Sequence, residues 1–151
     1  MAAPDAVELL IDILTASDLA PLVTHPTTRN GVSITEVSIY GEKLPDRPLL
    51  NPGSVQKPAT TFLVKSYPGS REELGGLRKP RILLRSYAPS LAAANELSTL
   101  ADELLHDQTF DVTVDSSIFR VYLEMGAGPN SDEEQGTTFP FCDRAYNLAV
   151  I

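Results

Sequence analysis

Cysteine occurs once in this chain, at Cys142, so no intrachain disulfide framework can hold the fold together. Histidine occurs twice, at His25 and His106. Two histidines and one cysteine cannot build a typical closed zinc site, and their spacing matches none. No run of about 18 apolar residues exists, so no membrane span is expected. Cations are in short supply: 12 Lys+Arg face 20 Asp+Glu. That balance argues against a sequence-independent nucleic-acid binder, which needs a cationic footprint. The opening MAAPDAVELL has no basic n-region and carries Asp5 and Glu8, so a secretory signal is not expected. Assembly in a reducing cytoplasm fits the cysteine usage.

Recognisable chemistry is equally sparse. Gly126-Ala-Gly128-Pro129 lacks the third glycine of a dinucleotide fingerprint, and no helix pattern follows it; it reads as a turn after a strand. Asp132, Glu133 and Glu134 lack the alternating-ligand pattern of a calcium loop and read as a solvated acidic loop. No serine sits in a Gly-x-Ser-x-Gly elbow. Cys142 reads as a small buried or half-buried residue. His25 falls in a Pro/Thr loop, and His106 near a helix C-terminus, where partial positive charge is favourable. Asp102 and Glu103 read as members of an ordinary helix face. No enzyme activity, cofactor or metal is expected.

What the 151 residues do contain is framework. The length suits a single domain spanning 1–151, with roughly two-thirds of the unfolded surface removed from water. Val7, Leu10, Ile11 and Leu14 at i, i+3, i+4, i+7 predict a helix from Pro4 to about Ala16, with Pro4 at its first position and Asp5 at the positive end of its dipole. Ser17–Gly31 reads as irregular, with a tight turn at Asn30-Gly31. Val32–Tyr40 reads as one β-branched strand with a bulge or a switch of buried face. Gly41–Pro58 is a Pro-rich connection bearing Leu44, Leu49 and Leu50. Strands are expected at Ala59–Tyr67 and Pro80–Tyr87, forming an antiparallel pair around the loop Pro68–Lys79. Ser90 is a good N-cap for a second helix, whose core face is read as Leu97, Leu100, Ala101, Leu104 and Leu105. Phe110–Met125 reads as two short strands or a bent pair, Gly126–Gly136 as a third loop, and Arg144–Ile151 as a terminal strand with Tyr146, Leu148 and Val150 facing one way. These elements predict an α+β fold: a mainly antiparallel sheet, two helices packed on one face, and long projecting loops.

Charge is segregated along the chain. Arg71, Arg78, Lys79, Arg81 and Arg85 make the middle basic, whereas Asp102, Glu103, Asp107, Asp111 and Asp115 make the next stretch acidic. The densest cationic cluster, Arg78, Lys79, Arg81 and Arg85, reads as protection for a sheet edge, as an electrostatic contact with the acidic face of a neighbouring subunit, or as a local nucleic-acid patch.

Four segments carry a resemblance: the opening helix VELLIDILTAS, the Pro-rich loop and strand GEKLPDRPLLNPGSVQKPATTFLVKSY, the strand and helix PRILLRSYAPSLAAANELSTLADELL, and the ending, where a Gly/acidic loop leads through Thr138-Phe139-Pro140 to RAYNLAVI. In this order they resemble the bacteriophage tail terminator, or tail completion, family of minor capsid proteins. The resemblance covers nearly the whole chain and rests on pattern, without a catalytic signature. It implies a homo-oligomeric ring, usually six-fold, on the head-proximal end of the tail tube. Such a ring stops tube-protein polymerisation and offers the surface to which the filled head attaches. The implied partners are further copies of the chain, the tail tube protein and a head-completion or connector protein. The implied location is the head–tail junction of the virion, after assembly in the host cytoplasm. Contact residues expected on that reading are Leu49 and Leu50, Arg71, Arg78 and Lys79, and the strand face bearing Arg81 and Arg85. The alternatives are another neck component, such as a head-completion or stopper protein, and a small-molecule-binding domain using a cleft between sheet and helices.

Overall fold

A computed structural model describes residues 5–45, 50, 58–66, 80–134 and 139–151. It has mixed α/β content, with two α-helices and a curled, mostly antiparallel sheet. Helix α1 spans Ala6–Thr15. Asp5 is its N-cap, its carboxylate accepting from the Val7 amide at 2.9 Å, which satisfies one of the helix's orphan donors. The helix therefore starts at Ala6, two residues later than the expected first position at Pro4, because the Asp5 backbone is extended and its side chain caps the helix. Val7, Leu9, Leu10, Ile13 and Leu14 are buried, a stripe wide enough to face a sheet.

The segment read as irregular, Ser17–Gly31, is ordered. A 3₁₀ turn, Ala20–Val23, leads into strand β1, Thr24–Arg29. Strand β2, Val32–Val37, pairs with β1 in a separate two-stranded ribbon, closed at Asn30-Gly31. Both turn residues have positive φ, as a two-residue hairpin turn requires. Pro26 hid this strand from sequence reading; it is tolerated because β1 has a partner on one side only.

The expected single strand Val32–Tyr40 is therefore two. At Ser38 the backbone leaves the ribbon: its N–H bonds to the Val23 carbonyl at 2.7 Å, and its carbonyl accepts from Phe62 N at 2.9 Å. Strand β3, Ile39–Gly41, then joins the main sheet parallel to β4, Thr61–Ser66. Strand β5, Arg81–Tyr87, pairs antiparallel with β4, as expected. Helix α2, Leu91–Leu105, follows; the Ser90 hydroxyl caps it by accepting from Ala93 N at 3.1 Å. Strands β6, Gln108–Val114, β7, Ser117–Glu133, and β8, Pro140–Val150, complete the sheet in the order β3-β4-β5-β8-β7-β6. β5 is thus interior, and its cations do not guard an edge.

Two further expectations are corrected. The segment Gly126–Glu133, read as loop, continues strand β7 opposite β8, with register shifts between Met125 and Ala127 and between Ala127 and Asn130. The shifts absorb Gly-Ala-Gly-Pro within a ladder, which periodicity reading cannot anticipate. Leu100 lies at the exposed rim of α2 instead of its core face, which is Ala94, Leu97, Ser98, Ala101 and Leu105. Leu104 is only partly buried. Tyr146, Leu148 and Val150 share one face of β8, as expected; the first two are buried and Val150, at the strand's end, is exposed.

The main core takes Leu9, Leu10 and Leu14 from α1 and Leu97, Ala101 and Leu105 from α2. They meet Phe62, Val64, Ile82, Leu84, Val121, Leu123, Tyr146 and Leu148 from the sheet. Each fully buried leucine withdraws apolar surface worth about 2 kcal/mol. α1 lies against β3 and β4 near one end of the strand order and against β6 at the other, so the sheet curls around it. A smaller cluster on alternate residues gathers Leu63, Tyr87, Phe139 and Phe141, with Tyr40 and Leu44 against it. Of the loops expected to project, Gly41–Pro58 lies mostly, and Pro68–Lys79 wholly, outside the described residues.

Candidate functional site

Three groupings of side chains stand out as candidates. The first contains the expected cations of β5. Arg81 and Arg85 stand four residues apart, so alternation puts them on one face of the strand. Both reach across to β8. The Arg85 guanidinium grips Asp143, its direct cross-strand partner, through Nε to Oδ1 at 2.8 Å and Nη2 to Oδ2 at 2.9 Å. The same guanidinium lies 3.8 Å over the Phe141 ring. Burial alone would lower the Arg85 pKa, but the hydrogen bonds to Asp143 and Tyr87 and the Asp143 charge outweigh it and raise it. Arg81 donates from Nε to Asn147 Oδ1 at 3.1 Å. The Tyr87 hydroxyl donates to Glu134 at 3.0 Å, and its ring meets Phe139 and Phe141 edge-on. Burial first, and then Glu134 against the opposing pull of Arg85, pushes the Tyr87 phenol up to about 12. Arg85 is thereby committed within its own chain, held in a bidentate, stacked geometry that any outside carboxylate would have to displace.

Of the other expected contact residues, Leu50 is exposed and forms an isolated bridge with Pro58. Leu49, Arg71, Arg78 and Lys79 lie outside the described residues.

Sequence reading missed the second grouping. Arg144 on β8 is buried against α2. Its Nε donates to Ser98 Oγ at 2.8 Å, and Nη1 lies 3.4 Å from Asp102 Oδ2. The Tyr146 hydroxyl donates to Asp102 Oδ1 at 2.9 Å. Asp102, read as a member of an ordinary helix face, therefore holds two β8 side chains. Burial, followed by the Asp102 charge, raises the Tyr146 pKa well above the usual phenol value. The available signal was a pair of spacings: Ser98 and Asp102 at i, i+4 share a helix face, and Arg144 and Tyr146 at i, i+2 share a strand face. The histidines bond locally. His25 Nε2 lies 2.8 Å from the Thr60 carbonyl, and His106 Nδ1 accepts from Met125 N at 3.0 Å. Cys142 is buried. Among the described residues no group of three His, Cys, Asp or Glu side chains is arranged to hold a metal ion.

The third grouping is apolar and exposed. Val32, Ile34 and Val37 on the ribbon, with Leu22 at its base, all face solvent. So do Ile118, Val150 and Ile151. A groove of about 590 Å³ is lined by Asp111, Ile118, Arg120 and Ile151. A second groove, of about 580 Å³, runs between the end of α1, Leu104 of α2 and Phe110–Thr113 of β6; Asp12, Asp18 and Asp111 line it. Two surfaces rich in exposed apolar residues can bury each other, whereas the two polar groupings above are already satisfied internally.

No protein-family model matches the chain, and no curated protein matches it.

Proposed function

We propose that this chain is a structural subunit of a phage tail terminator ring. Copies would associate side by side on the head-proximal end of the tail tube, stop its growth and present a surface to a head-completion protein. The observation that carries this reading is the distribution of exposed apolar side chains. Among the described residues, six of the ten large ones, Leu22, Val32, Ile34, Val37, Ile118 and Ile151, fall on the ribbon with its base and on the surface around Ile118. A subunit bearing more than one exposed apolar surface suits a heterologous contact, which closes into a ring when its rotation permits. The family resemblance supplies the tube and head as partners, and the virion head–tail junction as the place. On this reading both helices cover one face of the curled sheet, and the long connections project from its ends toward neighbours.

The test is mass in solution across a range of concentrations, by light scattering after size exclusion, followed by addition of purified tail-tube protein from the same source. A closed ring, or a monomer that becomes a ring and halts tube growth, is the expected result. A monomer indifferent to tube protein at every concentration overturns the reading. The acidic groove between α1, α2 and β6 supports the alternative of a binding domain for a small cationic, partly apolar molecule. A ligand-dependent rise in Tm abolished by Phe110→Ala would favour that alternative.

A further inference from the structure

Strand β6 is the last in the sheet order, and among the described residues only β7 pairs with it. The β6–β7 turn decides which of its backbone groups stay unpaired. Asp115 and Ser116 both have positive φ, as a two-residue hairpin turn requires, with Val114 and Ser117 as the flanking pair. Such a flanking pair exchanges both of its hydrogen bonds, and bonded pairs then alternate along an antiparallel ladder. Val114, Val112, Phe110 and Gln108 therefore direct their N–H and C=O groups to β7. Thr113, Asp111 and Thr109 turn theirs outward, along the free edge. Two bonds of β7 agree with this phase. The Met125 amide points toward β6, where His106 Nδ1 accepts it at 3.0 Å, and the Arg120 carbonyl points away from β6, accepting from Ile151 N at 2.9 Å. The outward backbone groups of Thr109, Asp111 and Thr113 make no hydrogen bond among the described residues, and all three residues are exposed.

The groove of about 580 Å³ between α1 and β6 runs along this edge. Phe110, Asp111, Val112 and Thr113 line it in unbroken succession, although alternation sends their side chains to opposite faces. A surface reached by consecutive strand residues lies alongside the strand and not over one of its faces. Ile13, Ala16 and Leu104 give it an apolar wall. Its charged lining residues are all acids, Asp12, Asp18 and Asp111, and each is exposed. Asp111 pairs with Arg120 at 3.0 Å, whereas Asp12 and Asp18 enter no ion pair among the described residues.

We infer that the free edge of β6 takes an extended segment of a partner protein as an added strand, one in which Lys or Arg alternates with apolar residues. A row of open N–H and C=O groups at strand spacing is matched by another extended backbone, which is why exposed edges recruit strands. From Thr109 to Thr113 the row runs about 13 Å at the usual rise per residue, and a small molecule would leave most of it unpaired. Apolar residues of the added strand meet the wall of Ile13, Ala16 and Leu104, and its cations meet the acids at the margins. A second copy offering its own β6 is a poor occupant. In the antiparallel register that pairs the whole strand, Asp111 stands opposite Asp111, and like charges directly opposite are destabilising. The inference does not depend on ring assembly, since a chain that stays monomeric presents the same edge.

The probe is an acetylated and amidated peptide of alternating Lys and Val, matched to β6 in length, with a Glu/Val peptide as its control. Each is titrated into the isotope-labelled full chain, and amide exchange is followed by NMR residue by residue. The expected result is saturable binding of the Lys/Val peptide that slows exchange at the Thr109, Asp111 and Thr113 amides by about tenfold or more. The Phe110 and Val112 amides, already bonded to β7, should change little. The Glu/Val peptide should bind about tenfold more weakly. Asp12→Asn with Asp18→Asn alters exposed side chains only and should weaken the Lys/Val peptide several-fold. Thr113→Pro removes one outward N–H and no bond to β7, a position where an edge strand tolerates proline, and should abolish the added strand. Should Thr113→Pro fail to fold, the paired Asn variant and the exchange pattern decide the question alone. No binding, binding that leaves the three amides unprotected, or equal binding of the two peptides overturns the inference. Protection of the same amides in the chain alone, growing with its concentration, assigns the edge to a second copy and overturns the stated occupant.

Discussion

Arg144 brings a full positive charge against the main core, and the fold answers it with Ser98, Asp102 and Met125. Asp102 is the member whose loss does most, because it serves Arg144 and Tyr146 together. Asp102→Ala leaves a buried guanidinium unpaired and a buried phenol without its acceptor. The expected cost is about 3 kcal/mol, discounted from the loss of a fully buried pair because Asp102 retains some exposure. Urea denaturation should show a lower midpoint with an unchanged slope. Arg144→Met with Asp102→Ala removes both charges and should recover part of that loss, so the double-mutant cycle should show coupling. The buried tyrosines set the behaviour at high pH. Folding raises Tyr87 to about 12, from the ordinary value of 10.0, and raises Tyr146 as well. The neutral phenol is the form favoured by the fold. Its contribution is complete below pH 10 and declines as the unfolded chain ionises, until it is lost as pH rises through the folded value. Stability should therefore fall from pH 10 to 12, and Tyr87→Phe should make that fall shallower in thermal melts at each pH.

The elements that resisted sequence reading are the ones whose partners are remote. α1 and α2 are announced by local periodicity, α2 also by Ser90 as its cap, and β4 and β5 by short β-branched and aliphatic runs. In contrast, β1 is Thr/Pro-rich and becomes a strand only because Val32–Val37 lies opposite it. The second half of β7 exists because β8 supplies a ladder for residues that would form a loop alone. The candidate contacts divide in the same way. A row of arginines reads as a free cationic face, since nothing local shows that Asp143 and Asn147 stand across from Arg85 and Arg81. Conversely, the acid that binds Arg144 lies 42 residues away in sequence, on a helix whose charge pattern looks ordinary. Gly128 marks the cost of extending β7. It has φ +100, and a Cβ there would sit 2.7 Å from the Asp143 carbonyl oxygen, a backbone atom that cannot step aside. Gly128→Ala should destabilise by about 2 kcal/mol or more through positive-φ strain and the clash combined. Hydrogen exchange should show the loss concentrated in the β7–β8 ladder beyond Met125, with α1 amides following only the global change.

At the scale of the whole molecule, folding and the proposed assembly draw on different residues. The main core takes nothing from β1 or β2, whereas three of the exposed apolar side chains sit on β2. The ribbon should therefore be removable without loss of the domain. Deleting Pro26–Arg29 and Val32–Thr35 brings Asn30-Gly31 directly between His25 and Glu36, which are already cross-strand partners. The cut removes four residue pairs, an even number, so the alternation of hydrogen-bonded and non-hydrogen-bonded pairs is retained and the same two-residue turn can close the shortened hairpin. The His25 contact with Thr60 and the Ser38 contact with Val23 lie below the cut. The shortened chain should keep the far-UV spectrum of the parent domain and its urea midpoint to within about 1 kcal/mol of stability. On the proposed function it should remain monomeric at concentrations where the unshortened chain is expected to assemble, and should leave tail-tube growth unchecked. A shortened chain that still forms the ring would move the contact away from the ribbon. One that fails to fold would show instead that the ribbon stabilises the monomer, as an element of its fold and not an arm for its neighbour.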